Sequence, residues 1–191
     1  KLHKKMKITA VIMCSGLSRR MGENKLLTLF RGRRLFEYAV DAVREAGFWR
    51  TVVVTAYEEI AQYCRDMTVV FNPDNEEGIA SSIRLGVLNS GDSGGIMFFT
   101  ADQPFIGVRE INRLTEAFGD GEKIIVPYLG GQPKNPVIFP SRYKNELSGL
   151  TGDFGGKSVY KNHPDDIRKV IFENGLPFAD IDTAEDMERL L

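Results

Sequence analysis

The stretch Val11-Ile-Met-Cys-Ser-Gly-Leu-Ser-Arg-Arg-Met-Gly-Glu-Asn-Lys25 decides how the rest of the chain is read. It starts as an apolar run and turns abruptly small, flexible and cationic, the pattern of a buried strand that ends in a loop. Outward from it, Ile8–Met13 reads as the strand, and Leu35–Ala46 places Leu35, Tyr38, Ala39, Ala42 and Val43 at helical spacing before Gly47. Thr51–Thr55 is a second strand, Glu58–Arg65 a short helix, and Thr68–Phe71 a strand stopped by Asn72-Pro73. Gly78–Asn89 reads as helix with Ile79, Ile83 and Val87 on one face, Gly95–Thr100 as strand, Val108–Phe118 as helix and Lys123–Pro127 as strand. This βαβ alternation predicts an α/β domain with a mostly parallel sheet covered on both faces.

After Pro127 the rhythm loosens into a Gly/Pro-rich loop, a strand at Pro136–Phe139, helical stretches at Tyr143–Leu147 and Gly155–Asn162, a strand at Ile167–Phe172 and a last helix from Ala184. No linker, repeat or low-complexity segment interrupts the chain, so the irregular part is read as an elaboration of one domain. The 191 residues, 42% of them hydrophobic, suffice for one substantial core. Residues 1–6 are basic with no apolar segment behind them and are read as a disordered or extraneous tail, leaving 7–191 as the domain.

Lys+Arg 25 against Asp+Glu 26 gives a net charge of −1. The chain as a whole therefore has no field to draw it to nucleic acid or to an anionic membrane, and any phosphate affinity is local. Cys14 and Cys64 are too few for a disulfide scaffold, and no apolar run approaches the length of a membrane span; a cytoplasmic location is expected.

The opening loop leaves the first strand of an open α/β sheet, where ligands bind beyond the strand carboxyl ends. Ser15, Gly16, Ser18 and Gly22 leave backbone N–H groups exposed for an anion, and Arg20 and Lys25 add full charges suited to a nucleoside triphosphate. Two familiar phosphate motifs do not fit. Gly16 and Gly22 alone cannot make the dinucleotide fingerprint, and Gly152-Asp-Phe-Gly-Gly-Lys157-Ser158 is one residue short of a P-loop and follows no apolar strand. Asp102, at the end of an apolar strand, is either a hard oxygen ligand for Mg²⁺ or a cap on the helix after Pro104. Asp180-Ile-Asp182 places two carboxylates on one side of an extended segment, where one of them either completes a metal site or Asp182-Thr183 caps the last helix, with Thr183 or Asp182 accepting N–H bonds near Glu185. Cys14 has no base linked to it by any pattern and reads as a small buried hydrophobe.

The loop Cys14-Ser-Gly-Leu-Ser-Arg-Arg-Met-Gly-Glu-Asn-Lys25 resembles the signature L-A-A-G-x-S-x-R-M-G-x-x-K of nucleotidyltransferases related to the molybdenum-cofactor guanylyl- and cytidylyltransferases. Asn72-Pro-Asp-Asn-Glu-Glu-Gly78-Ile-Ala-Ser-Ser82-Ile, Asp102-Gln-Pro104, Gly131-Gln-Pro-Lys-Asn-Pro136-Val-Ile-Phe, Gly152-Asp-Phe-Gly-Gly-Lys157 and Asp180-Ile-Asp-Thr-Ala-Glu-Asp186 are similar, in that order, to blocks of the cytidylyltransferase branch. The resemblance implies a single-domain, Rossmann-like three-layer sandwich of the nucleotide-diphospho-sugar transferase type. It implies transfer of a nucleotide monophosphate from CTP, or from GTP, to the terminal phosphate of a molybdopterin-type acceptor, with Mg²⁺ and release of pyrophosphate. A molybdenum hydroxylase is the client such a product would serve.

By the same resemblance, the backbone at Cys14, Ser15 and Gly16 cradles the triphosphate, Arg20 holds the departing pyrophosphate and Lys25 faces the α-phosphate. Asp102, with Asp182, holds the metal; Gly78 and Ser82 lie near base or ribose; Gln132, Asn135 and Lys157 face the acceptor. Gly78 and Ser82 equally fit a plain helix start with small residues on a packed face. Cys14 and Ser15 stand where the signature has alanines, Asn135 where the branch often has histidine, and Lys157 where arginine is frequent, which leaves base and acceptor open. Three other readings stay open: a sugar-phosphate nucleotidyltransferase of the same fold, a glycosyltransferase using Asp180-Ile-Asp182 as its D-x-D motif, and a non-catalytic nucleotide-binding partner of molybdenum hydroxylases.

Overall fold

The computed structural model describes residues 6–16 and 24–190. In chain order these form β1 (Ile8–Cys14), a short hairpin of β2 (Leu29–Phe30) and β3 (Arg33–Arg34), α1 (Leu35–Ala46), β4 (Arg50–Thr55), α2 (Glu58–Tyr63), β5 (Thr68–Phe71) and α3 (Ile79–Leu88). There follow β6 (Gly95–Thr100), α4 (Val108–Phe118), β7 (Ile124–Leu129), β8 (Gln132–Pro133), β9 (Val137–Pro140), α5 (Lys144–Ser148), α6 (Gly156–Asn162), β10 (Ile167–Phe172) and α7 (Ala184–Leu190). The main sheet runs β10-β7-β9-β6-β1-β4-β5, with β8 paired to β7.

The pairings of β1 with β4 and β6, of β4 with β5 and of β7 with β10 are parallel, whereas β9 is antiparallel to both β6 and β7. Periodicity predicts strands but not their direction. What reverses the chain is β8, which folds back on Tyr128 and Leu129 and extends the expected Lys123–Pro127 strand to Leu129. The peptide bond between Asn135 and Pro136, just before β9, is cis.

Alternation along the strands sorts the core into two layers. Ala10 and Ile12 of β1, Met97 and Phe99 of β6 and Ile125 of β7 pack with Phe36, Val40 and Val43 of α1 and Ile111, Leu114 and Phe118 of α4. Val11, Val52, Val54, Ile96 and Phe98 face the other way, against Ile83 and Val87 of α3, Leu147 of α5 and Val159 of α6. A buried sheet between two helical layers is the expected three-layer α/β sandwich. The strand β1 lies inside the sheet between β4 and β6 and runs parallel to both, so its carboxyl end sits beside that of β6, with Met13 opposite Thr100.

Candidate nucleotide site

A cavity of about 580 Å³ opens at the carboxyl ends of β1 and β6, within the size range of small-molecule sites. Its walls come from Met13, Ser15 and Gly16 after β1, from Lys25 and Leu26, and from Thr100, Ala101 and Asp102 after β6. Asn75, Glu76, Gly78, Ile79 and Ser82 at the start of α3, with Asp153 and Asp182, complete it.

Lys25 holds the centre. It opens a 3₁₀ turn, Lys25–Leu27, that Asn24 caps by accepting from the Leu26 N–H at 3.1 Å, and the buried Leu26 pins this turn to the core. The Lys25 ammonium donates to Asp102 Oδ2 at 2.8 Å and to Asp182 Oδ1 at 2.8 Å. Burial works against its charge, but the Asp102 charge and the hydrogen bonds to both carboxylates outweigh burial and raise the pKa above the ordinary lysine value.

The C-terminal segment is brought here by the backbone: Ile181, buried in the core, donates its N–H to the Asp102 carbonyl at 3.0 Å. The flanking Asp180 and Asp182 then both face the end of β6, as alternation requires. Asp180 accepts from Gln103 Nε2 at 2.9 Å. Asp180 is exposed as a residue, yet its carboxyl, turned toward Gln103, is pushed up to about 6, first by desolvation and then by the Asp102 charge. The last helix has its own cap. Asp186 accepts from the Asp182 and Thr183 N–H groups at 3.1 and 3.0 Å, and Thr183 Oγ1 accepts from the Asp186 N–H at 3.1 Å. That reciprocal box does the capping open to Asp182 on sequence grounds, while the Asp182 carboxyl faces Lys25.

On the opposite wall, buried Asn72 donates through Nδ2 to Ser81 Oγ at 2.9 Å and to Ser82 Oγ at 3.2 Å. Ser81 passes its own proton to the Gly78 carbonyl at 2.9 Å. Gly78 sits at φ 107°, ψ −171°, a conformation close to glycine-only, and a Cβ there would meet Asp153 Oδ1 and the Gly152 carbonyl. Gly152 O also accepts from the Ala80 N–H at 3.1 Å, so the 152–153 turn is seated on the start of α3 and Asp153 reaches the cavity. The loop after β1 is tethered as well: Tyr57 donates to Gly16 O at 2.9 Å, Asn75 to Ser15 O at 3.3 Å, and Ser15 Oγ to Val54 O at 3.1 Å.

Of the residues singled out from sequence, Ser15, Gly16, Lys25, Gly78, Ser82, Asp102 and Asp182 line this cavity together. Cys14 is fully buried, and burial drives its thiol pKa well up, which suits the small-hydrophobe reading. Gln132, Asn135 and Lys157 are exposed and do not line it. The register of β9, with Val137 opposite Phe98, brings the chain that enters it to the carboxyl-end half of β6. Arg20 lies outside the described residues. Sequence reasoning assigned no role to Asn75, Glu76, Asp153, Gln103 or Tyr57; the first four lie inside quoted blocks, but nothing local marks Tyr57.

The donor set fits a divalent metal. Asp102 Oδ1 is buried with no hydrogen-bond partner among the described residues, an expensive state for a carboxylate oxygen, and Asp182 lies across the ammonium from it. Among the described residues no cluster of three or more His, Cys, Asp or Glu side chains forms a cage, so such an ion would share its ligands with a substrate. No described helix is long and apolar enough to cross a membrane.

The chain is 30% identical over 169 residues to the bifunctional protein GlmU of Symbiobacterium thermophilum, covering 85% of this chain but only 35% of that protein. It is 25% identical to a Pyrococcus horikoshii protein assigned as a molybdenum cofactor guanylyltransferase, over 82% of this chain and 79% of the other. Among solved structures, Rv0371c of Mycobacterium tuberculosis superposes with a TM-score of 0.85 at 24% identity over 98% of both chains. Its manganese complex superposes at 0.77 and 23% identity, over 97% of this chain and 98% of that one. At those identities the likeness to Rv0371c is one of fold. The family described as the MobA-like NTP transferase domain matches residues 10–167, and with the cavity at the carboxyl ends of β1 and β6 in place, the chain belongs to that family of nucleotidyltransferases.

Proposed function

We propose that the protein transfers CMP from CTP, with GTP the alternative donor, to the terminal phosphate of a molybdopterin-type acceptor. The observation that carries this reading is the meeting of Lys25, Asp102 and Asp182 in a cavity of nucleotide size. In the reaction an oxygen of the acceptor phosphate forms a bond to the α-phosphorus, the bond from that phosphorus to the β-phosphate oxygen breaks, and pyrophosphate leaves with the electron pair. Two anions must approach, so positioning and charge neutralisation are the catalysis.

Ser15 and Gly16, fixed by Val54, Asn75 and Tyr57, present the loop backbone to the phosphates. Lys25 is placed to neutralise charge at the α-phosphate, and Arg20 is assigned to the pyrophosphate. Ser82, whose oxygen accepts from Asn72, keeps its proton for base or ribose. Asp102 and Asp182 would hold Mg²⁺, which supplies further charge neutralisation when bound. Gln132, Asn135 and Lys157, outside the cavity, are assigned to the acceptor, whose product would pass to a molybdenum hydroxylase. The guanylyltransferase assignment of the Pyrococcus relative supports nucleotidyl transfer in molybdenum-cofactor chemistry and, for the donor, the GTP alternative; the manganese complex of Rv0371c supports the use of a divalent ion.

The test supplies molybdopterin-type acceptor, Mg²⁺ and each of the four nucleoside triphosphates in turn, and measures pyrophosphate. CTP is expected to give the fastest release and Asp102→Asn to abolish it. No pyrophosphate with any of the four refutes the transferase reading.

A further inference from the structure

A carboxylate pair built for a divalent ion would repel itself when the ion is away, yet here a single ammonium from within the chain already bridges both members. Lys25 Nζ touches Asp102 and Asp182 at the same 2.8 Å, its side chain only 15% exposed. From these contacts we infer that Lys25 is the resident counter-ion of the Asp102–Asp182 pair, so that the protein takes its divalent metal weakly until a nucleoside triphosphate draws Lys25 away. The inference rests on the metal assignment made under the proposed function and adds an order of events to it.

Three features make the exchange physically reasonable. The backbone of Lys25 is fixed by the Asn24 cap and by buried Leu26, while its ammonium rides on a flexible four-carbon stem, so the charge can move without the loop refolding. Asp182 is half exposed, with 52% of its side chain open to solvent, so an incoming ion has a path to it. Asp102 Oδ1 is buried and unpartnered among the described residues, so the ammonium leaves one ligand position of the pair unused. A triphosphate offers the ammonium a stronger partner than the two carboxylates do, and metal and nucleotide then promote each other's binding through the movement of one side chain.

The experiment is a Mn²⁺ titration of the nucleotide-free protein, followed by electron paramagnetic resonance of the unbound ion, on the unaltered protein and on Lys25→Met, Lys25→Arg and Lys25→Met/Asp102→Asn. Methionine keeps the apolar stem and removes the charge, so Mn²⁺ affinity should rise at least about tenfold. Arginine keeps the charge and should leave binding weak, and the double variant should lose the gain. Thermal melting in the same buffers checks folding, and added Mn²⁺ should raise the melting temperature of Lys25→Met more than that of the parent. Affinity unchanged or weakened in Lys25→Met, a gain of the same size in Lys25→Arg, or a gain that survives Asp102→Asn overturns the inference. Pyrophosphate release by the unaltered protein, measured alongside, separates this failure from failure of the transferase reading.

Discussion

Replacing Gly78 by alanine tests the joint between the start of α3 and the 152–153 turn that brings Asp153 to the cavity. The new methyl would lie 2.6 Å from Gly152 O and 2.7 Å from Gly152 C, and closer still to Asp153 Oδ1. A carboxylate can swing aside, but the Gly152 backbone is held by its hydrogen bond from Ala80 and cannot. Forcing a side chain into φ 107°, ψ −171° costs about 1–3 kcal/mol, and overpacking against backbone about 1–3 kcal/mol more. The sum, about 2–6 kcal/mol, is a large part of the 5–15 kcal/mol typical of a folded domain. With a urea slope near 3 kcal/mol per molar, the midpoint should fall by about 1–2 M, read by circular dichroism without nucleotide. Gly16→Ala is the internal control: among the described residues nothing lies within 4 Å of a Cβ there, so its midpoint should not move. A Gly78→Ala midpoint within about 0.2 M of the parent refutes the reasoning.

A Cβ at Gly86 would collide with Val11 on β1, so Gly86→Ala should destabilise by about 1–2 kcal/mol and its cost should be less than additive with that of Val11→Ala; strict additivity in a double-mutant cycle contradicts the contact. Burial pushes the Cys64 thiol up to about 12 and that of Cys14 well up, so neither should react with iodoacetamide in the folded protein at pH 8; labelling read by mass spectrometry checks this. Asp186 is held below the ordinary carboxylate value, first by the Thr183 hydroxyl and then by backbone N–H groups. A depressed carboxylate contributes stability above its unfolded pKa of about 3.9 and loses it as pH falls through the lower folded value. Amide exchange over residues 184–190 should therefore quicken below about pH 4, and the dependence should vanish in Asp186→Asn.

Sequence alone set the order and type of the longer elements, though not the two-residue strands β2, β3 and β8, because burial on a sheet or a helix face writes a period of 2 or 3.6 into neighbouring residues. The helices Leu35–Ala46 and Val108–Phe118 and the strands Thr68–Phe71, Gly95–Thr100 and Ile167–Phe172 have the limits their patterns predict. It also nominated Lys25, Asp102 and Asp182, since charge at the end of an apolar strand or beside a turn is a local signal. The direction of β9, the choice of Thr183 over Asp182 as the cap of α7 with Asp186 as its partner, and the exclusion of Gln132, Asn135 and Lys157 from the cavity were left to the tertiary structure. So was the grouping of the site: Lys25 meets Asp102 across 77 positions and Asp182 across 157, and Tyr57 reaches Gly16 across 41. Periodicity reports which face of its own element a residue occupies. Which distant residues share a cavity depends on strand order and loop paths, and only the packing of the whole sheet decides those.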